Sequence, residues 1–220
     1  MQLKEIKKEI SKELYEVLTK EITELRPSQK KAIEKDLLKN KNLLVCTPTA
    51  SGKTLIAEIA SLKNIIDGKG KSIYIVPLKA LASEKFKDFK RKYNHLIRIA
   101  LSIGDLDSAD NYLAEYDLII CTAEKLDSLI RHKAHWLGMV KTIIIDEIHL
   151  LNDVSRGPTL EILITMLKKI LKDPQIIALS ATIGNPEELA TWLEADLVID
   201  DWRPVKLKQG TYLGGEIEFY

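Results

Sequence analysis

From residue 42 onward, short apolar runs recur along the chain, each closed by polar residues: NLLVC, SIYIVP, IRIALSI, DLIICT, TIIIDE, QIIALSAT and DLVID. Runs this short and this uniformly apolar fit strands covered on both faces, as in parallel sheets. Between most of them lie stretches of helical periodicity, among them TLIAEIASLKNII, TLEILITMLKKILK and NPEELATWLEA. A strand–helix alternation implies right-handed βαβ units. The expected fold is therefore α/β, a mostly parallel central sheet of about seven strands with helices on both faces. In such sheets ligands sit beyond the carboxyl ends of the strands, so the polar residues that close each run are where chemistry is sought first.

Upstream, Leu3, Ile6, Ile10, Leu14, Val17, Leu18, Ile22 and Leu25 are spaced as one amphipathic helix over 3–25, ended near Pro27, with its Lys and Glu residues on a solvated face. Residues 1–26 are expected to pack as this helix on the domain formed by 27–204. The tail 205–220 is expected to add a terminal strand followed by a glycine break at Gly214 and Gly215, where the domain ends and the connection to a further domain starts. No apolar run approaches the roughly 20 residues of a membrane span. The two cysteines, Cys46 and Cys121, each close an apolar run and are expected to be buried free thiols of a reducing cytosol. The net charge of +1 neither supports nor excludes a nucleic-acid partner, because binding follows clustering of charge on a face.

The run NLLVC is followed by TPTASGKT, Thr47 to Thr54, and then by a helix. That context suits a phosphate-binding loop: Gly52 lets the backbone approach an anion, Lys53 reaches the β- and γ-phosphates and Thr54 offers a hydroxyl to Mg²⁺. Thr47 stands where the usual pattern has its first glycine, so a plain strand–helix turn remains the alternative. TIIIDEIH, Thr142 to His149, places two carboxylates at the end of a buried strand, which is unfavourable unless a cation compensates them. Mg²⁺ held by Asp146 would do so, leaving Glu147 to polarise an attacking water. Loop and acidic strand on one sheet point to NTP hydrolysis.

GKT beside DEIH resembles motifs I and II of superfamily 2 helicases, in the DExH group, whose first loop position is often not glycine. PLKALA (77–82), TAEKLDSLIR (122–131) and LSAT (179–182) resemble motifs Ia, Ib and III, and RPSQKKAI resembles the segment with the adenine-reading glutamine. SRGPTLE (155–161), GNPEELATWL (184–193) and DWRPVKL (201–207) narrow the resemblance to the Ski2-like branch, most of all to archaeal Hjm-type DNA helicases.

The resemblance implies a first RecA-like domain that uses ATP and Mg²⁺. Its ATP site would comprise Gln29, Thr47, Pro48, Thr49, Ala50, Ser51, Gly52, Lys53 and Thr54. Thr54 and Asp146 would hold the metal, and Lys53, Asp146, Glu147 and His149 would be catalytic. Ser180 and Thr182 would couple the γ-phosphate to the strand. Lys79, Thr122, Lys125 and Arg156 would contact nucleic acid through its backbone, with Glu124 capping the helix after Thr122. His95, His132 and His135 show no metal spacing, and Trp136, Trp192 and Trp202 are expected in the core or at domain contacts.

The implied partners are single-stranded or branched DNA in repair, recombination or stalled-fork processing, together with a second RecA-like domain and accessory domains. That second domain would carry the arginine fingers, so the 220-residue chain alone is expected to bind nucleotide weakly, hydrolyse it very slowly and unwind nothing. The implied location is cytoplasmic, at the nucleoid. An RNA helicase of the same branch, or a catalytically silent RecA-like binding module, stays open as an alternative.

Overall fold

The computed structural model describes residues 1–104 and 110–219. Seven strands form one wholly parallel sheet: β1 (Leu43–Cys46), β2 (Lys71–Val76), β3 (Ile99–Ser102), β4 (Leu118–Thr122), β5 (Val140–Ile145), β6 (Gln175–Ser180) and β7 (Asp196–Ile199). Their order across the sheet is β3-β4-β2-β5-β6-β1-β7. Each apolar run of the sequence became a strand because side chains alternate between two buried faces. Val45, Tyr74, Ile144 and Leu179 join the core on one side, while Leu44, Ile75, Ile145 and Ala178 join the core on the other.

The first core is covered by α1 (Lys12–Glu21), α2 (Pro27–Glu34), α3 (Lys53–Ile66) and α4 (Lys79–Tyr93). The second is covered by α5 (Ala123–Arg131), α6 (Gly157–Ile170) and α7 (Pro186–Leu193). A buried polar cluster pins α3 to the sheet: Asn64 Nδ2 donates to Thr142 Oγ1 at 2.8 Å and to Gln175 Oε1 at 3.0 Å. The Gln175 amide in turn donates to the carbonyls of Leu37 and Lys41, so α3 cannot slide without breaking several buried hydrogen bonds.

Two expectations are corrected at the ends of the chain. The apolar positions expected on one N-terminal helix are largely buried, but the helix is not continuous. A 3₁₀ turn spans Leu3–Ile6, and Ser11 then caps a new helix by accepting from the Leu14 N–H at 3.2 Å. Ile22 is extended, and the chain folds back so that Gln2 bridges Glu24, with the Leu25 N–H bonded to the Met1 carbonyl. At the other end the single strand is a hairpin, β8 (Gly210–Leu213) paired antiparallel with β9 (Glu216–Phe219). Gly214 and Gly215, at φ 61° and 95°, make its two-residue turn, a conformation that few other residues adopt.

Strand order builds the site. β6 lies between β1 and β5, so the loop after β1 and the acidic residues after β5 flank Ser180 at the same edge of the sheet. β2, on the far side of β5, brings Tyr74 and the α4 helix to that edge.

Candidate nucleotide site

The Thr47–Thr54 loop is closed by hydroxyls. Thr47 is buried, its Oγ1 lies 2.7 Å from Ser51 Oγ, and its N–H donates to the Ser180 carbonyl at 3.3 Å. The Ser51 N–H returns to the carbonyl of buried Pro48. Left-handed backbone occurs at Ala50 (φ 65°) and Gly52 (φ 91°) and not at Thr47. The position that lacks the expected glycine therefore has no conformational need for one. Thr49 and Ala50 are exposed, and the α3 N-terminus carries no side-chain cap, which leaves the N–H groups of its first turn to attract an anion.

The loop is braced from α2. Gln29, 4% exposed, accepts the Arg26 N–H on Oε1 at 2.8 Å and donates from Nε2 to the Gly52 carbonyl at 2.9 Å. Arg26 Nη1 donates to the Ala50 carbonyl at 2.8 Å, and its guanidinium lies 5.4 Å from the Trp202 ring centroid. A Cβ on Gly52 would sit 2.6 Å from Gln29 Nε2, so the brace requires glycine there. Gln29 was assigned to an adenine edge. Each end of its amide is already engaged by the protein, and each retains one bonding direction for a base. Arg26 was missed; its partner is a backbone carbonyl 24 residues away, which no local pattern announces.

Asp146 and Glu147 follow β5. The Asp146 N–H bonds the Ile75 carbonyl at 2.9 Å, and Asp146 Oδ1 accepts the Glu147 N–H at 3.1 Å. Glu147 is left-handed (φ 52°, ψ 46°), and both acids line one cleft. The cationic compensation assigned to Mg²⁺ from the sequence is supplied here by two lysines. Lys53 Nζ lies 3.8 Å from Glu147 Oε2, and Lys85 Nζ lies 3.6 Å from Asp146 Oδ2 and 3.1 Å from Thr54 Oγ1. Tyr74 donates its hydroxyl to the same Asp146 oxygen at 3.0 Å. Burial, reinforced by the charge of Asp146, raises the Tyr74 hydroxyl well above its ordinary pKa and keeps it a donor.

Thr54 and Asp146 thus face one point, where a cationic nitrogen already sits. Two hard oxygen donors around that point suit Mg²⁺, which completes its shell from phosphate and water. Among the described residues no group of three His, Cys, Asp or Glu could by itself hold a metal. The loop, the acids and Lys85 line an open cleft of about 360 Å³.

The remaining assignments divide. His149 is half-buried with Nδ1 3.4 Å from Glu147 Oε2, close enough for attraction but outside hydrogen-bond geometry. Ser180 is fully buried and its hydroxyl has no hydrogen-bond partner, whereas Thr182 is exposed. Lys79 is exposed at the start of α4. Arg156, half-buried, immediately precedes α6 without capping it through its side chain, and lines a small cleft with Glu124 and the two acids.

Thr122 and Lys125 need correction as strand contacts. Thr122 is buried and caps α5, accepting the Lys125 N–H at 3.4 Å. Lys125 is 1% exposed, its Nζ 2.9 Å from Asp110 Oδ2; an ammonium drawn inward by a carboxylate is withheld from phosphates. Trp136 is in the core, Trp192 packs against it, and Trp202 is partly exposed over Arg26. Both cysteines are buried and free, with thiols raised by burial to about 11 at Cys46 and about 12 at Cys121.

Known proteins resemble this chain in sequence and in fold. The ATP-dependent DNA helicase Hel308 of Methanocaldococcus jannaschii is 60% identical over 205 residues, 90% of this chain and 17% of that protein. Hel308 of Pyrococcus horikoshii is 52% identical over 207 residues, 94% of this chain and 28% of that protein. The crystal structure of the DUF1998 helicase MrfA bound to DNA superposes with a TM-score of 0.76 at 29% identity, covering 88% of this chain and 30% of that one. The chain therefore spans less than a third of each of these relatives. The sequence profile of the DEAD/DEAH box helicases matches residues 26–189, a segment holding the brace, the phosphate loop and the acidic pair, and on that match the chain belongs to the DEAD/DEAH box helicase family.

Proposed function

We propose that this chain is the ATP-binding first motor domain of an ATP-dependent DNA helicase that acts in repair, recombination or stalled-fork processing. One observation carries the reading: Lys53 and Thr54, at the amino end of α3, meet Asp146 and Glu147, at the carboxyl end of β5, in a single cleft. The first-turn N–H groups of α3 and the Lys53 ammonium bind the phosphates. Thr54 Oγ1 and Asp146 hold Mg²⁺, which when bound neutralises charge on the phosphates. Glu147, released from Lys53 as that lysine turns to phosphate, orients the attacking water and takes its proton. His149, with Nδ1 3.4 Å from Glu147 Oε2, is the residue that couples the nucleotide site to the strand, and Lys79 and Arg156 offer cations toward a strand's phosphates.

The Hel308 relatives are named as DNA helicases, and the DNA substrate, a second RecA-like domain and further domains are inferred from them. No helix among the described residues is long and apolar enough to cross a membrane. The reading is tested by titrating a fluorescent ATP analogue with Mg²⁺ into the chain and into Lys53→Ala. Binding by the chain and a loss of about tenfold or more in the variant are expected, the scale of a charge-assisted contact to phosphate. Equal binding by both would refute the site.

A further inference from the structure

Lys85 belongs to none of the motif roles above, yet it is the cation nearest the metal-binding oxygens. It rises from the second turn of α4, and its Nζ touches Thr54 Oγ1 at 3.1 Å and Asp146 Oδ2 at 3.6 Å while lying 5.7 Å from the Tyr74 ring centroid. Tyr74 holds the same carboxylate oxygen from the other side. The two oxygens that Lys85 contacts are the two given to Mg²⁺. A divalent cation needs them at about 2.0–2.1 Å, which leaves no room for an ammonium and repels it.

We propose that Lys85 is a positioning residue of the nucleotide site, a built-in cation that keeps Thr54 and Asp146 together while no metal is bound and yields its place to the divalent cation arriving with nucleotide. This rests on the nucleotide reading above. Without Lys85, the half-buried Asp146 carboxylate would keep the Tyr74 hydroxyl but lose its neighbouring ammonium, beside a Glu147 that faces Lys53. With it, two ammonium groups balance the two carboxylates and one of them spans Thr54 and Asp146, so metal entry is an exchange of cations and not the filling of a repulsive gap. The displaced ammonium has a destination: the adjoining cleft of about 300 Å³, which Lys85 also lines, carries the carboxylates of Glu58 and Asp88. The exchange also frees α4, which begins at exposed Lys79, from its tie to the phosphate loop.

The test compares the natural chain with Lys85→Met and Lys85→Arg, titrating a fluorescent ATP analogue in EDTA and again in excess Mg²⁺. Lys85→Met should bind the metal-free analogue more weakly, raising the ratio of metal-free to Mg²⁺ Kd by about tenfold, while Lys85→Arg stays within about threefold of the natural ratio. A rise below about threefold in Lys85→Met overturns the proposal. Should the natural chain bind no analogue in either buffer, the nucleotide reading itself falls and takes this one with it. A second measurement uses Mg²⁺ alone: melting without nucleotide should show a larger Mg²⁺-dependent rise in Tm for Lys85→Met than for the natural chain, and equal rises count against the exchange. Lys85→Gln serves both measurements if the methionine variant does not fold.

Discussion

Replacing Gln29 by alanine separates two roles that one side chain can fill. If the amide only reads a base, its loss leaves the nucleotide-free protein as stable as before. The structure requires otherwise, because the amide joins the Arg26 N–H to the Gly52 carbonyl from a position 4% exposed. Two hydrogen bonds vanish, and both freed groups lie near the surface, where water replaces part of what is lost. Each bond is then worth about 1 kcal/mol, near the lower end for a lost partner, and the pair about 2 kcal/mol. With an unfolding entropy of about 2.1 cal/mol/K per residue, 220 residues give about 0.46 kcal/mol per kelvin. The expected fall in Tm is about 4 °C in differential scanning fluorimetry without nucleotide. Gln29→Glu keeps an acceptor for the Arg26 N–H but sets a carboxylate against the Gly52 carbonyl, so its deficit should shrink as pH falls and the carboxyl protonates. Midpoints within about 1 °C of the natural chain for Gln29→Ala would refute the brace and leave base reading as the residue's role.

Other outcomes follow from the same geometry. Glu147→Gln preserves the shape of a half-exposed side chain whose ion pair with Lys53 is long, so folding and nucleotide binding should persist while phosphate release by the chain joined to the second domain proposed above drops about 10²–10⁴-fold; release within about threefold of normal would remove Glu147 from its role. Glu58, 4% exposed, accepts from Tyr93 at 2.8 Å with Lys92 at 3.6 Å, and burial raises its carboxyl above the ordinary 4.5 despite both partners. Stability from a raised acid is fully present below its unfolded pKa and lost as pH rises through the folded value, so the stability of the natural chain relative to Glu58→Gln should decline from about pH 4.5 upward; parallel urea-melt series across pH would contradict this. Lys125→Met leaves Asp110 without its buried ammonium and should cost about 1–3 kcal/mol, below the full penalty of a buried pair because Asp110 is 15% exposed. Lys79→Ala should leave Tm unchanged within about 1 °C and weaken single-strand binding by the longer protein proposed above; unchanged strand binding would remove Lys79 from that role.

The central sheet was legible because a parallel sheet covered on both faces leaves apolar runs that nothing else in the chain imitates, and all seven became strands. The N-terminal segment shows where that legibility stops. Apolar spacing foretold that Leu3, Ile6, Leu14 and Leu18 would be buried, but burial is satisfied equally by a helix and by a chain doubled back at Ser11. Lys125 misled for a related reason: a lysine in a motif-like helix reads as a surface cation until the fold reveals Asp110, distant in sequence, beneath it. The acidic pair carries the more general lesson. Adjacent carboxylates at a buried strand end do demand positive charge, and the structure meets that demand. What the sequence cannot specify is the carrier, since Lys85 reaches Thr54 across 31 positions through the packing of α4 on the sheet. Electrostatics constrains the charge balance of a site and leaves tertiary packing to choose which cation supplies it. A motif that names a metal's ligands therefore leaves open which other side chain the fold packs against them.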